Sequence, residues 1–160
     1  MKKLLTSALF VVFTFASTAT FSAWSKDEVK KYDAKAQAAL AELLAANPSV
    51  QEMIDLSAGY VVIPTVGKAG FGIGGARGKG VLYEGSAVTA VITLTQLSFG
   101  FQWGGQAYSE FLFFQDKVSL DAFKKGNYEL GAQASAVAIT TGVSIDAEFV
   151  NGMAILTVAK

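Results

Sequence analysis

The sequence contains no cysteine and no histidine, and these two absences exclude several classes of function. Without cysteine the chain cannot form disulfides or supply a thiolate, and without histidine it lacks Ser-His-Asp and Cys-His catalysis. The usual zinc ligands are missing as well. We therefore predict a protein that is not an enzyme and that uses no cofactor and no metal.

Pairs of carboxylates are the remaining residue type that could support hydrolysis, because two of them can flank a glycosidic bond. The candidates are Asp116 with Asp121 and Asp146 with Glu148. Asp116, however, stands where a helix N-cap is expected. Asp146 and Glu148 share one face of a predicted strand, where charge exposed to solvent is the usual arrangement. Catalysis by these carboxylates is therefore disfavoured.

The chain also lacks an excess of positive charge, with 13 basic and 13 acidic residues. Affinity for nucleic acid depends on the number of phosphates that basic residues neutralise. Neither the net charge nor any long basic run supports such binding, so we expect no nucleic-acid partner.

The amino terminus has the pattern of a secretory signal peptide. Met1, Lys2 and Lys3 precede an apolar run from Leu4 to Ala16, and the residues from Ser17 to Ala23 are small except for Phe21. This pattern predicts a leader at residues 1–23 that is cleaved after Ala19 or Ala23. Residues 24–160 then form a single exported domain, which we expect to be periplasmic and associated with a membrane surface.

Two helices are predicted directly after the leader. Ser25 and Glu28 have capping-box spacing, and apolar residues recur every three or four positions until Asn47 and Pro48 end the helix. A second helix is expected at about Ser49 to Leu56. A third, short connecting helix is expected after Asp116, which is a favourable N-cap residue, and before Gly126.

A glycine-rich stretch from Gly59 to Gly85 forms the centre of the chain. Tyr60 to Ile63 predicts a short strand that Pro64 ends, with a loop after it. The dense glycines that follow disfavour a helix and predict strands bent by bulges or closely packed against another backbone. A dinucleotide fingerprint is disfavoured because no helix follows, and a Walker loop because Lys79 is followed by Gly80.

The second half of the chain consists mainly of predicted strands. They are Val88 to Leu97, Ser98 to Trp103, Gln106 to Phe114, Tyr128 to Val137, Ala138 to Ser144, Ile145 to Val150 and Met153 to Val158. Asn151 and Gly152 predict a hairpin turn before the last strand. The predicted fold class is α+β: a curved, mostly antiparallel β-sheet, open or closing toward a barrel, packed by an N-terminal helix and a short connecting helix.

Three stretches together resemble the SYLF domain family: Gly59 to Gly85, Leu97 to Phe114 and Tyr128 to Ile139. Members of that family bind phosphoinositide lipids and, in some fungal and animal proteins, actin. The resemblance implies non-enzymatic binding of anionic phospholipid headgroups at a membrane surface. Actin is an implausible partner for an exported bacterial protein. The alternative is a structural or envelope-stress protein that binds a protein partner through the exposed side of the sheet.

The predicted lipid-binding residues are Lys68, Arg77, Lys79, Phe71 and Trp103. The three cations have no acidic residue near them between Asp55 and Glu84 in the sequence. Exposed backbone amides of a glycine-rich loop would add to an anion-binding concavity. A competing interpretation pairs Arg77 and Lys79 with Glu84 or another acid, and the helix face from Lys26 to Lys35 is the next candidate site.

Overall fold

The chain folds into three helices and a seven-stranded sheet in the part that the computed structural model describes, which is residues 15–21, 24–71, 73–99, 106–126, 136–138 and 148–160. In chain order the elements are β1 (Phe15–Phe21), α1 (Lys26–Ala46), α2 (Val50–Leu56), β2 (Gly59–Phe71), β3 (Ile73–Glu84), β4 (Ala87–Phe99), β5 (Gln106–Phe114), α3 (Lys117–Lys124), β6 (Ala136–Ala138) and β7 (Met153–Ala159).

The strands are arranged in the order β1-β4-β3-β2-β5-β7-β6. Every neighbouring pair is antiparallel except β6 and β7, which run parallel. The predicted α+β class with a curved, mostly antiparallel sheet is confirmed. The sheet is open among the described residues, with β1 and β6 at its edges, so the closure toward a barrel that the sequence left open is not found there.

Helix α1 begins and ends where the sequence predicts. The Ser25 hydroxyl accepts a hydrogen bond from the Glu28 amide at 3.3 Å, and the Ser25 amide donates to the Glu28 carboxylate at 3.2 Å. This reciprocal capping box satisfies two amides of the first helical turn. The residues of α1 that become buried against the sheet are Ala36, Ala39, Leu40 and Leu43. Among the described residues, none of the three helices combines the length and the hydrophobicity that a transmembrane helix needs.

Each face of the sheet carries its own hydrophobic core. The core beneath α1 and α2 includes Tyr60, Val62, Val81, Tyr83, Phe111, Phe113 and Leu156. The core on the opposite face includes Val61, Ile63, Leu82, Ile92, Leu94, Leu112, Phe114 and two residues of α3, Leu120 and Phe123. The uninterrupted apolar run in β5 therefore supplies both cores, as predicted. Helix α3 covers the core opposite α1 with Leu120 and Phe123, whereas the sequence predicted only a short connecting helix.

Pro64 does not end the second strand, and the prediction of a loop after it is wrong. Strand β2 continues to Phe71, with a register shift between Val62 and Thr65 against β3. Proline is tolerated within a sheet at such a bulge because its missing N–H does not break the ladder there. The Pro64 carbonyl accepts a hydrogen bond from the buried Ser109 hydroxyl at 2.8 Å.

The carboxy-terminal turn is also confirmed, although the hairpin is shorter than predicted. Asn151 and Gly152 have φ values of 52° and 81°, as a two-residue hairpin turn requires. Pairing across this turn is a single bridge between Val150 and Met153 in the described residues, because β7 pairs mainly with β5 and β6.

The predicted boundary between Leu97 and Ser98 is not found, since β4 runs without a break from Ala87 to Phe99. Trp103, at the end of the predicted Ser98 to Trp103 strand, lies outside the described residues. The Tyr128 to Val137, Ala138 to Ser144 and Ile145 to Val150 predictions fall mostly outside them too, apart from β6 and residues 148–150.

Gly78 and Gly80 of β3 are required by close packing against β2. A Cβ at Gly78 would lie 2.6 Å from the Ile63 Cγ2 atom, and one at Gly80 would lie 2.5 Å from the Val62 carbonyl oxygen. Real Cβ atoms do not approach neighbouring atoms so closely, so these glycines permit the contact between the two strands. This confirms, at these two positions, the predicted close approach of backbones.

We expect Gly80→Ala to lower the free energy of unfolding by about 1–3 kcal/mol, because the added methyl group overpacks a buried site. Gly67→Ala is the matched control: it lies in the same strand pair, and a Cβ there meets nothing within 4 Å. The control should be neutral or slightly stabilising. Urea denaturation measures both, and equal stability of the two variants would contradict the packing argument.

Candidate functional site

A groove of about 280 Å³ lies where α1 passes over β2 and β3. Tyr32 and Lys35 line it from α1, Pro64 and Thr65 from β2, and Arg77, Gly78 and Lys79 from β3. The groove thus brings together three basic side chains that come from two separate regions of the sequence.

The register of β2 and β3 determines which side chains face the groove. Lys79 pairs with Thr65, and Arg77 pairs with Gly67. Directly opposed residues of an antiparallel pair point to the same face of the sheet, and alternate residues of a strand share a face. Arg77 is exposed, and the space above Gly67 is open because a Cβ there would meet no atom within 4 Å. An incoming molecule therefore has access to the Arg77 side of the groove.

A hydrogen bond between a helix and a strand fixes the position of α1 over the groove. The Tyr83 hydroxyl donates to the Asp33 carboxylate at 2.6 Å, and the Tyr83 ring stacks on Tyr60 with centroids 5.0 Å apart. Burial, followed by the hydrogen bond to Asp33, raises the pKa of Tyr83 above its ordinary value of 10.0. Asp33 lies between Tyr32 and Lys35 on α1, so this contact also positions the two groove residues of the helix.

The Lys79 ammonium group is held by two aromatic rings. Its Nζ atom lies 4.4 Å from the centre of the Trp24 ring and 5.5 Å from that of Tyr32. The two rings meet edge to face with centroids 5.6 Å apart. A cation over an aromatic face is attracted by the ring quadrupole. Lys79 is therefore oriented by contacts that leave its positive charge unneutralised.

The competing interpretation, in which Arg77 and Lys79 pair with Glu84, is not found among the described residues. Glu84 accepts a hydrogen bond from Lys124 and lies 3.9 Å from the Lys117 ammonium group. The hydrogen bond from Lys124 lowers the pKa of Glu84. Within the described ranges, Lys35, Arg77 and Lys79 take part in no ion pair.

The structure describes the side chains of two of the five predicted site residues, Arg77 and Lys79. Arg77 and Lys79 lie together in the groove. Lys68 pairs through its backbone with Ala76, and Phe71 pairs with Ile73 near the β2–β3 connection, but their side chains are outside the described part of the structure. Trp103 is outside it altogether. The involvement of Lys68, Phe71 and Trp103 stays a prediction.

The expected loop of free backbone amides is absent from the groove. Both β2 and β3 have a neighbouring strand on each side, and Val66, Gly67 and Arg77–Lys79 have register partners in both neighbours. Positive charge in the groove comes from side chains.

Sequence reasoning missed Tyr32, Lys35 and Thr65 as partners of Arg77 and Lys79. The sequence places Lys35 on the separate Lys26 to Lys35 face of α1. The signal that could have joined it to the groove is its position directly before the buried Ala36 and one turn before the buried Ala39.

Comparison with known families bears on the carboxy-terminal part of the chain. Residues 95–160 match the family model Ysc84, described as Las17-binding protein actin regulator. The predicted SYLF-family resemblance is confirmed. The SYLF match includes the Leu97 to Phe114 and Tyr128 to Ile139 stretches and leaves Arg77 and Lys79 outside it. The SYLF family comprises binding domains of a lipid- and actin-binding type. A search of curated proteins finds no match.

We predict that Tyr83→Phe lowers the free energy of unfolding at neutral pH by about 1.5–3 kcal/mol, since it removes a hydrogen bond to a carboxylate. Because folding raises the pKa of Tyr83, its contribution is complete below pH 10 and is lost as the pH rises above that value. When the pH is raised from neutral to above 10, the free energy of unfolding should therefore fall less for the variant than for the wild type. Chemical denaturation across this range tests the idea, and parallel pH profiles would contradict it.

Proposed function

We propose that this protein is a non-enzymatic domain that binds anionic phospholipid headgroups through the groove between α1 and strands β2 and β3. The observation that carries the proposal is the convergence of Lys35, Arg77 and Lys79, none of which takes part in an ion pair within the described residues. Three unneutralised cations beside an open space favour an anionic ligand. The lipid-binding character of SYLF domains supports the choice of a phospholipid.

The three cations would play different parts in holding a phosphate group. Arg77 is exposed and has a planar guanidinium group, which binds phosphate oxygens through two parallel hydrogen bonds. Lys35 and Lys79 add two point charges in the same groove, and Lys79 is already oriented by Trp24 and Tyr32. Each basic residue near an anionic surface contributes about 1 kcal/mol, so the expected binding is weak, reversible and sensitive to salt.

The same proposal includes the compartment. We infer that residues 1–23 are removed during export and that the mature chain acts in the periplasm at a membrane surface. The basic n-region, the apolar run and the small residues before Trp24 support this inference. In that compartment a lipid headgroup is a more suitable ligand than actin.

We expect the double variant Lys35→Gln with Arg77→Gln to bind anionic liposomes about thirtyfold more weakly than the wild type. The estimate converts the loss of about 2 kcal/mol for two cations into a ratio of affinities. The measurement is flotation of the exported, purified protein with vesicles of phosphatidylglycerol and phosphatidylcholine at low and high salt. Lys79 is left in place because its contacts with Trp24 and Tyr32 contribute to packing.

The matched control is Lys117→Gln with Lys125→Gln, which removes the same charge from exposed positions at α3, on the opposite face of the sheet. This control should float like the wild type. Equal losses of liposome binding in both double variants would show that binding depends on net charge alone and would refute binding at the groove. A loss confined to Lys30→Gln with Lys31→Gln would instead assign binding to the outer face of α1. Thermal melting verifies that each variant is folded.

A further inference from the structure

Strand β1 occupies an edge of the sheet that β4 would otherwise present to solvent. Its pairing with β4 is continuous and antiparallel from Phe15 opposite Ser98 to Phe21 opposite Ile92. All of β1 lies within residues 1–23, which the sequence predicts to be a cleaved leader. Removal of that leader takes away the described strand that covers the β4 edge.

Between Ile92 and Ser98, the β4 edge has none of the features by which proteins protect exposed strands. Its residues, AVTAVITLTQLSF from Ala87 to Phe99, include no charge, no proline and no glycine. Edge strands usually carry a charged side chain, a proline or a bulge that prevents pairing with another chain. The one irregularity in its pairing with β3 lies opposite Leu82 and Tyr83, outside the Ile92 to Ser98 stretch that β1 covers. We expect the unpaired backbone groups of this edge to pair with another strand in the mature protein.

We propose that the β4 edges of two mature chains pair with each other and form an antiparallel dimer across a twofold axis. This inference rests on the proposed removal of residues 1–23 and is independent of lipid binding. In the structure Thr95 lies at the middle of the β1–β4 ladder, opposite Thr18. A twofold axis at Thr95 would place Thr93 opposite Leu97 and Leu94 opposite Gln96 of the second copy.

The absence of charge in this stretch favours a second copy as the occupant. Pairing a strand with its own symmetry mate brings equivalent residues near one another, so any charge close to the axis would face a like charge. From Ile92 to Ser98 every residue is neutral, and from Ile92 to Thr95 apolar residues alternate with threonine. The same backbone groups that bond to β1 would bond to the second β4. An edge of this length buries less area than a typical stable interface, so the dimer should depend on concentration.

The test uses protein expressed from the full sequence and purified after export, with its amino terminus determined by mass spectrometry. Sedimentation velocity at micromolar concentrations should give twice the monomer mass for the wild type. Thr95→Glu should be monomeric, because two carboxylates would face each other at the axis. Within one chain the new carboxylate would lie beside Arg77, its register partner in β3, so the fold should be retained.

Thr89→Glu is the matched control, because Thr89 is exposed and lies in the same strand outside the stretch that β1 covers. It should remain dimeric. The chain has no natural cysteine, so Thr95→Cys should also give a disulfide-linked dimer under mild oxidation, whereas Val118→Cys, exposed on α3, should not.

Three results would overturn the proposal: a mature chain that retains Phe15 to Phe21, a monomeric wild type, or a Thr95→Glu variant that still dimerises. A cross-link from Thr95→Cys to a different protein would assign the edge to another partner and would overturn it as well. The Lys35→Gln with Arg77→Gln variant should remain dimeric. A failure of lipid binding is thus distinguishable from a failure of edge pairing.

Discussion

The extra residue in β2 at Pro64 is the constraint on which the arrangement of the site depends. Between Val62 and Thr65 the strand advances three residues while β3 advances two, from Val81 to Lys79. The bulge therefore reverses the alternation of side chains along β2. Val66 joins Ile63 in the core opposite α1, and Thr65 faces the groove. Without the bulge, Val66 would face α1 and the hydroxyl group of Thr65 would enter the apolar core.

This local reversal explains how one strand serves both a buried sheet and a polar groove. Before the bulge, β2 is apolar on both sides because helices cover both faces. After it, α1 no longer covers the sheet completely, and the α1 face carries Thr65, Arg77 and Lys79. The glycines of β3 keep the two strands close together on the other face, where Gly78 contacts Ile63 and Val66. Packing on one side of the sheet and charge on the other are thus produced by the same pair of strands.

Local signals in the sequence were sufficient for the helices and for much of the sheet. Capping at Ser25 and Asp116, the Asn151–Gly152 turn and the apolar run of β5 each depend on neighbouring residues, and the structure has all four. The continuation of β2 beyond Pro64 could not be predicted, because a bulge depends on the register with β3 and β5. The sequence predicted only part of the groove, because the rest of it also depends on contacts between distant residues. Arg77 and Lys79 are close in sequence, but Lys35 joins them only through the packing of α1, which the bond between Asp33 and Tyr83 fixes.

The place of β7 in the sheet has a consequence for the order in which the molecule is built. Strand β7 is the last in the chain, yet it lies between β5 and β6 and contributes Met153 and Ile155 to one core and Ala154 and Leu156 to the other. Neither core is complete until β7 has left the ribosome. The β2–β5 and β5–β7 ladders also join residues far apart in sequence, which slows folding. A chain with this topology therefore cannot complete the packing of either face of its sheet before β7 is available.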